Sequence, residues 1–546
     1  MRHFTALLCC LVLAAPTLAR AYCIHAALHD DNNNIVYNVP VYLVAPNATF
    51  AGWDKYVVAH ELEVAVDNWH EEAATHIRPY FAGILSSAGV PTNGQVYVKE
   101  ETSNCNRCDM SAAACESTTQ GGWPYYYSAV GSTIWIVDKP GACDFDWGVY
   151  SVTYTFGGVF THEFGHSLGI DDESPISCDG YVQSVMAGNC HEGRFITRRD
   201  IGSLGLLGLG YAPRARSYVY TESSDWGLSW VYGSPQDLAY SAYLRIGTSG
   251  YLSTGATEIY AQAMINNGWF RGTKVWKGQP GQTHTYVQPD NGLNSYSWDV
   301  ASAAYRDATH YAVAYRADER EDHCLKGVRL AITDNGGTNW THLYVRDPPG
   351  GPGAIETYGE GVALTYDPRS DTYVVVYANN DDLITQTTFA ALPPHTQGPI
   401  YTLQDHYVLD YPAIACNQQS IAGTNNCVLA WNNVGAYNTI RWNKGYIATS
   451  GLTPGKFIGY YATPPNTGYL GWQSPSLASM TNAYYPWILG FKQGSNFYTM
   501  RYSIFSGGFG DVRGAFTGGS GGILSGALAE FFYGTYREIH VKGVTD

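Results

Sequence analysis

The sequence predicts a multidomain chain, an α+β unit followed by an all-β unit of the β-propeller type. Three observations carry this. Apolar residues Val58, Leu62, Ala65, Trp69, Ala73 and Ile77 recur at intervals of three and four, the spacing of one helix face. Beyond about residue 212, strand patterns follow one another in units of roughly 45 to 60 residues. The chain is also rich in Tyr (44), Gly (60) and Trp (15), which suits short strands and tight turns.

Taken in order, residues 1–21 read as a signal peptide. Arg2 and His3 precede an apolar core from about Ala6 to Leu18, and Ala19-Arg20-Ala21 supplies small residues for cleavage. This core is too short to span a bilayer, and no later segment is long and apolar enough to do so. Residues 22–212 form the first domain. It holds a helix over Asp54 to Ile77, strands at Val96-Tyr97-Val98 and at Thr133 to Val137, and a second helix including Phe160 to Leu168. A third helix starts at Thr197, where Thr197-x-x-Asp200 resembles a capping box, and Pro213 closes the unit.

Residues 213–546 form the second domain. Its theme recurs at Tyr311 to Tyr315, Tyr373 to Tyr377, Cys427 to Trp431 and Pro486 to Phe491, with a short small-residue strand before each. Five such units are clear and a sixth is suggested; a pair of β-sandwiches is the alternative architecture.

A formal net charge of −16 argues against nucleic acid or an anionic membrane as partner. Ten cysteines remain after the signal, and in an exported chain they are expected as disulfides. Cys178 with Cys190 and Cys416 with Cys427 are the short-range pairs. Cys105-x-x-Cys108 lacks the second pair of a zinc ribbon, and Cys23 is open to a disulfide or a metal-capping role. His29 to Asn34 reads as a polar loop before a calcium site.

Chemistry concentrates at His162-Glu163-Phe164-Gly165-His166. Residues four apart share a helix face, so both imidazoles can address one metal, with Glu163 beside them as general base for a metal-bound water. Gly169 can adopt positive φ and turn the chain back, bringing Asp172 within reach as a third ligand. Asp171 and Glu192 are the alternatives for that place. The pattern H-E-x-x-H-x-x-G-x-x-D resembles the metzincin zinc peptidases in their snapalysin-like branch, where aspartate replaces the third histidine. Ser184-Val185-Met186 resembles the Met-turn of that family, although Gly188 stands where some members have tyrosine. The resemblance implies an α+β metzincin-type catalytic domain, Zn2+ held by His162, His166 and Asp172, Glu163 as base, and hydrolysis of protein or glycoprotein substrates.

In the second domain, Ser223-Ser224-Asp225-Trp226-Gly227-Leu228-Ser229-Trp230 fits the Asp-box hairpin S-x-D-x-G-x-x-W, and Thr333 to Trp340 repeats it with Asn335 for Asp. These boxes resemble those of sialidase-like propellers. That resemblance implies glycan binding, with docking and sialidase activity as the other options; Gly247 departs from the sialidase arginine motif at Tyr243 to Gly247. For the whole chain, the rival to a secreted endopeptidase is a secreted adhesin or glycan-binding protein with a structural or inactive metal site.

Overall fold

The computed structural model describes residues 28–30, 32, 34–72, 77–104, 114–120, 129–138, 147–148 and 154–170 of the N-terminal part. Further on it describes 217–232, 236–237, 242–248, 258–266, 270–278, 285–287, 302–316, 327–347, 355–356, 360–379 and 383–407. The remainder is 412–417, 426–432, 439–451, 453–461, 465–470, 475–493, 496–516, 523–533 and 536–545. The chain divides into two compact units, Met1–Arg214 and Ala215–Asp546.

The first unit is built on a five-stranded sheet ordered Tyr80–Leu85, Pro40–Val44, Gln95–Glu101, Ala129–Val137, Ala114–Gln120. The first four strands run parallel and the last pairs antiparallel. Val41, Leu43, Val96, Val98, Ile134 and Ile136 are fully buried, so alternate positions supply one packed face. Helix α1 spans Lys55–Glu72, and the Asp54 carboxylate caps it by accepting from the Tyr56 amide at 2.8 Å. Val58, Leu62, Ala65 and Trp69 form its buried stripe. Helix α2 spans Phe156–Ser167; the Trp69 indole of α1 donates to its Thr161 carbonyl at 2.8 Å.

The expected α+β metzincin-type domain needs correction. The described residues are overwhelmingly β, with 37 strands and only these two helices. A 3.6-residue apolar period reports one packed helix face and says nothing about the class of domain around it. The signal peptide, the helix from Thr197, Met186, Cys178 and Cys190 lie outside the described residues.

In the second unit six sheets follow one another. Their leading strands are Ala242–Thr248, Ser302–Tyr305, Glu360–Asp367, Ala413–Cys416, Ser476–Ser479 and Ile523–Tyr533. Each packs against the next, and the last returns to the first, closing a propeller-like ring. The closing sheet joins both ends of the unit: Ser217–Ser223 pairs antiparallel with Tyr536–Thr545. Among the leading strands Ala303, Ala304, Ala413, Ala415 and Ala478 are buried, because small side chains fit where inner strands crowd together. Second strands carry the bulk: Tyr311, Tyr315, Tyr373, Tyr377, Trp431 and Trp487 are essentially inaccessible.

Buried polar groups tie neighbouring sheets. The Gln386 amide donates to the Gly455 carbonyl and its oxygen accepts from the Phe457 amide. Asn417 donates to the Met480 and Pro486 carbonyls, and the Cys416 amide donates to Thr365 Oγ1.

Candidate functional site

Helix α2 places His162 and His166 with their Nε2 atoms 3.1 Å apart and their rings edge to face. The His166 Nδ1 lies 2.7 Å from the Ile170 carbonyl, an acceptor, so Nδ1 carries the proton and the Nε2 lone pair faces His162. That contact exists because Gly169 turns the chain with φ 96°, its amide donating to the His166 carbonyl. His162 and Glu163 are buried at 3% and 4% exposure. Two converged imidazoles, that of His166 with its tautomer fixed, fit a divalent metal. Asp172, like Asp171 and Glu192, lies outside the described residues.

Among the described residues, the three-ligand grouping present is a different one. Asp367, Cys416 and Cys427 are buried, with a carboxylate oxygen and two sulfurs within 4.8 Å of one another. Cys416 and Cys427 are joined as a disulfide at the end of a hairpin. Disulfide sulfurs are not the thiolates that bind metal. Asp367 instead accepts from Asn426, Arg369 and Ser370.

Both Asp-box segments form hairpin turns. Asp225 Oδ1 accepts from the Leu228 and Ser229 amides at 3.0 and 2.8 Å, while Oδ2 accepts from Ser229 Oγ at 2.5 Å. Burial would raise the Asp225 carboxyl, but the Ser229, Ser223 and Leu228 donors outweigh it and hold it below the ordinary value. Asn335 accepts from the Asn339 amide at 2.8 Å, so an amide oxygen keeps the turn with a smaller set of bonds. In the polar segment near the N-terminus Asp30 accepts from the Asn32 and Asn34 amides.

Sequence reasoning missed an aromatic surface on the fourth and fifth sheets. Tyr484 and Phe505 stack with ring centroids 5.4 Å apart and planes 19° from parallel, though they are 56% and 76% exposed. Tyr460, 62% exposed, meets Tyr461 edge to face at 4.9 Å. The Tyr461 hydroxyl donates to the Gly507 carbonyl in the turn that carries Phe505. Lys444 lies over the Tyr460 ring at 4.7 Å and donates to the Tyr502 hydroxyl at 3.0 Å. The available signal was Tyr460-Tyr461 and Tyr484-Tyr485 standing among turn residues, where no apolar period explains them.

No family model matches the chain, and no curated protein does. Several solved structures resemble it distantly. The SapL1 lectin in complex with α-methyl fucoside is 13% identical, with 54% of this chain and 88% of that one covered and a TM-score of 0.35. A Penicillium chrysogenum α-L-arabinanase complexed with arabinobiose is 15% identical over 52% and 83%, TM-score 0.33. A Trypanosoma rangeli sialidase is 9% identical over 57% and 56%, TM-score 0.35.

The metzincin assignment, and with it the zinc endopeptidase activity and the protease keywords, is therefore corrected. No family model matches, and the described residues assemble no third ligand about His162 and His166, the three-ligand grouping they hold being that of Asp367, Cys416 and Cys427. The physical reason is that two histidines four apart make a metal-facing helix side in any fold; spacing alone fixes neither reaction nor family.

Proposed function

We propose that this chain is a secreted carbohydrate-binding protein whose N-terminal unit carries a structural metal site. The exposed, stacked pair of Tyr484 and Phe505 carries the reading. Large rings left in water cost solvation unless a partner covers them, and the flat apolar face of a sugar ring is suited to do so. Export is supported by the N-terminal apolar segment, by the Cys416–Cys427 bridge and by a disulfide at Cys115. Among the described residues no helix is long and apolar enough to cross a membrane.

In this reading His162 and His166 hold Zn2+, with Asp172 completing the set. Their nitrogen and oxygen donors suit zinc. Glu163 is outside the ligand set, since one residue along a helix turns a side chain about 100° from its neighbour. Titration calorimetry of the full chain against a panel of soluble oligosaccharides tests the main claim. Binding that is lost in Phe505→Ala and Tyr484→Ala is expected; saccharide binding untouched by both variants would remove its basis.

A further inference from the structure

The chain is acidic, with a net charge of −16, yet Lys444 has no carboxylate partner among the described residues. Its ammonium is instead held by aromatic groups: it donates to the Tyr502 hydroxyl and lies 4.7, 5.7 and 5.8 Å from the ring centres of Tyr460, Tyr502 and Tyr461. Burial works against its charge, but the Tyr502 hydrogen bond and the neighbouring phenol oxygens outweigh it and raise the ammonium above its ordinary value. A cation fixed over rings keeps its remaining N–H donors for an outside acceptor. The Tyr461 hydroxyl, bonded to Gly507, links this cation to the turn holding Phe505 and its partner Tyr484. Through Tyr461 and the turn at Gly507, one fixed positive charge is thus tied to stacking faces on a molecule of net charge −16.

We infer that the ligand of this surface is an anionic oligosaccharide, its sugar faces stacking on Tyr460 and on the Tyr484–Phe505 pair and its acidic group accepting from Lys444. This rests on the carbohydrate-binding reading and narrows its ligand class. A neutral sugar would use the rings alone. A carboxylate or sulfate adds a charge-assisted hydrogen bond, worth about tenfold in affinity at low salt.

Calorimetry with the full chain should compare a uronate-containing tetrasaccharide, its carboxyl-reduced neutral form, and a sulfated oligosaccharide lacking carboxylates. The first or third is expected to bind roughly tenfold tighter than the neutral form, and which one does so identifies the acidic group. That preference should shrink as salt rises, disappear in Lys444→Gln and survive in Lys444→Arg. Lys456→Gln, which removes a cation over the Tyr401 ring, should leave it in place. Equal affinity for charged and neutral forms, unchanged by Lys444→Gln, overturns the inference while leaving carbohydrate binding intact. No binding of any of the three overturns both.

Discussion

Gln386 is hydrogen-bonded to the backbone of a neighbouring sheet from both ends of its amide, with Nε2 donating to the Gly455 carbonyl at 2.6 Å. Its oxygen accepts from the Phe457 amide at 2.7 Å, and the residue is fully buried. Gln386→Leu fills similar space but strands one buried donor and one buried acceptor, at about 1–3 kcal/mol each. Gln386→Glu keeps the acceptor and sets a second oxygen against the Gly455 carbonyl. Both variants should lower the stability read from urea unfolding by several kcal/mol, Leu without a new charge and Glu with one. A change below about 0.5 kcal/mol in Gln386→Leu would show that the sheets do not depend on this tie.

The Cys416–Cys427 bridge closes a loop with a separation of 11 residues at the end of a hairpin whose strands are already paired. By chain entropy such a loop contributes about 3 kcal/mol. The double replacement by Ser should lower stability by about that amount under non-reducing conditions, and reducing agent should shift the parent in the same direction. Peptide mapping without reduction should recover the two cysteines in one cross-linked fragment.

The β-rich second unit was legible beforehand while the class of the first was not, and the reason is local. Tyr311–Arg316, Thr372–Ala378, Cys427–Asn432 and Trp487–Gln493 are buried strands written as short apolar runs rich in β-branched and aromatic residues, too short for helices and recurring at a regular spacing. Closure of the ring was not legible, since it depends on Ser217–Ser223 finding Tyr536–Thr545 more than 300 residues away. The site was legible only as far as spacing reaches. His162 and His166 converge as their four-residue separation requires, but spacing could not supply the family or the reaction. Lys444, Tyr460, Tyr484 and Phe505 come from different strands and turns, so only the folded chain reveals them as one surface.

Arg306 bridges two carboxylates: it donates to Asp307 at 2.8 Å and to Asp371 at 2.8 Å, and Tyr366 also donates to Asp371. The Arg306 hydrogen bond, opposed by burial and assisted by Tyr366, holds the Asp371 carboxyl below its ordinary value. For Asp307 burial acts upward, but His310 and Thr309 outweigh it and the net direction is also down. A depressed folded-state value means stability is fully present above the unfolded carboxylate range near pH 4, and is lost as pH falls below it. Because Asp307 and Asp371 are each 43% exposed, solvent screening limits the effect to about 1 kcal/mol apiece. Asp371→Asn should therefore flatten the fall in stability between about pH 4 and pH 2, read from urea midpoints. An unchanged acid slope would show that Arg306 stabilises the ionised carboxylate no better than water does.

Gly227 sits at φ 82° in the Asp225 turn, and a Cβ there would lie 2.9 Å from Ile488 Cδ1. Gly227→Ala meets backbone strain and a packed side chain together, so a loss of about 1–3 kcal/mol is expected. Asp225→Asn keeps an acceptor, as Asn335 does in the second turn, and should cost less than Asp225→Ala. Equal losses for Asn and Ala would show that the turn needs the charge and not the hydrogen-bond geometry.

The two imidazoles of α2 offer the sharpest test of the N-terminal unit. With His166 Nδ1 committed to the Ile170 carbonyl and the two Nε2 atoms 3.1 Å apart, the His166 lone pair is set before any ion arrives. Metal analysis of the purified chain should find about one zinc per molecule. A chelator should lower the thermal midpoint, since an ion present at 100 times its dissociation constant adds about 2.7 kcal/mol to the folded state. His162→Ala and His166→Ala should each abolish that chelator effect, while Glu163→Ala should keep zinc because it removes no ligand. Asp172→Ala should weaken zinc and Asp172→His should restore it, whereas loss of zinc in Asp171→Ala or Glu192→Ala in its place would reassign the third ligand. Gly169→Ala forces a side chain onto φ 96°, disturbs the turn that presents the Ile170 carbonyl, and should weaken zinc without touching a ligand. A parent chain whose midpoint ignores both chelator and added zinc would mean that the histidine pair is packing alone.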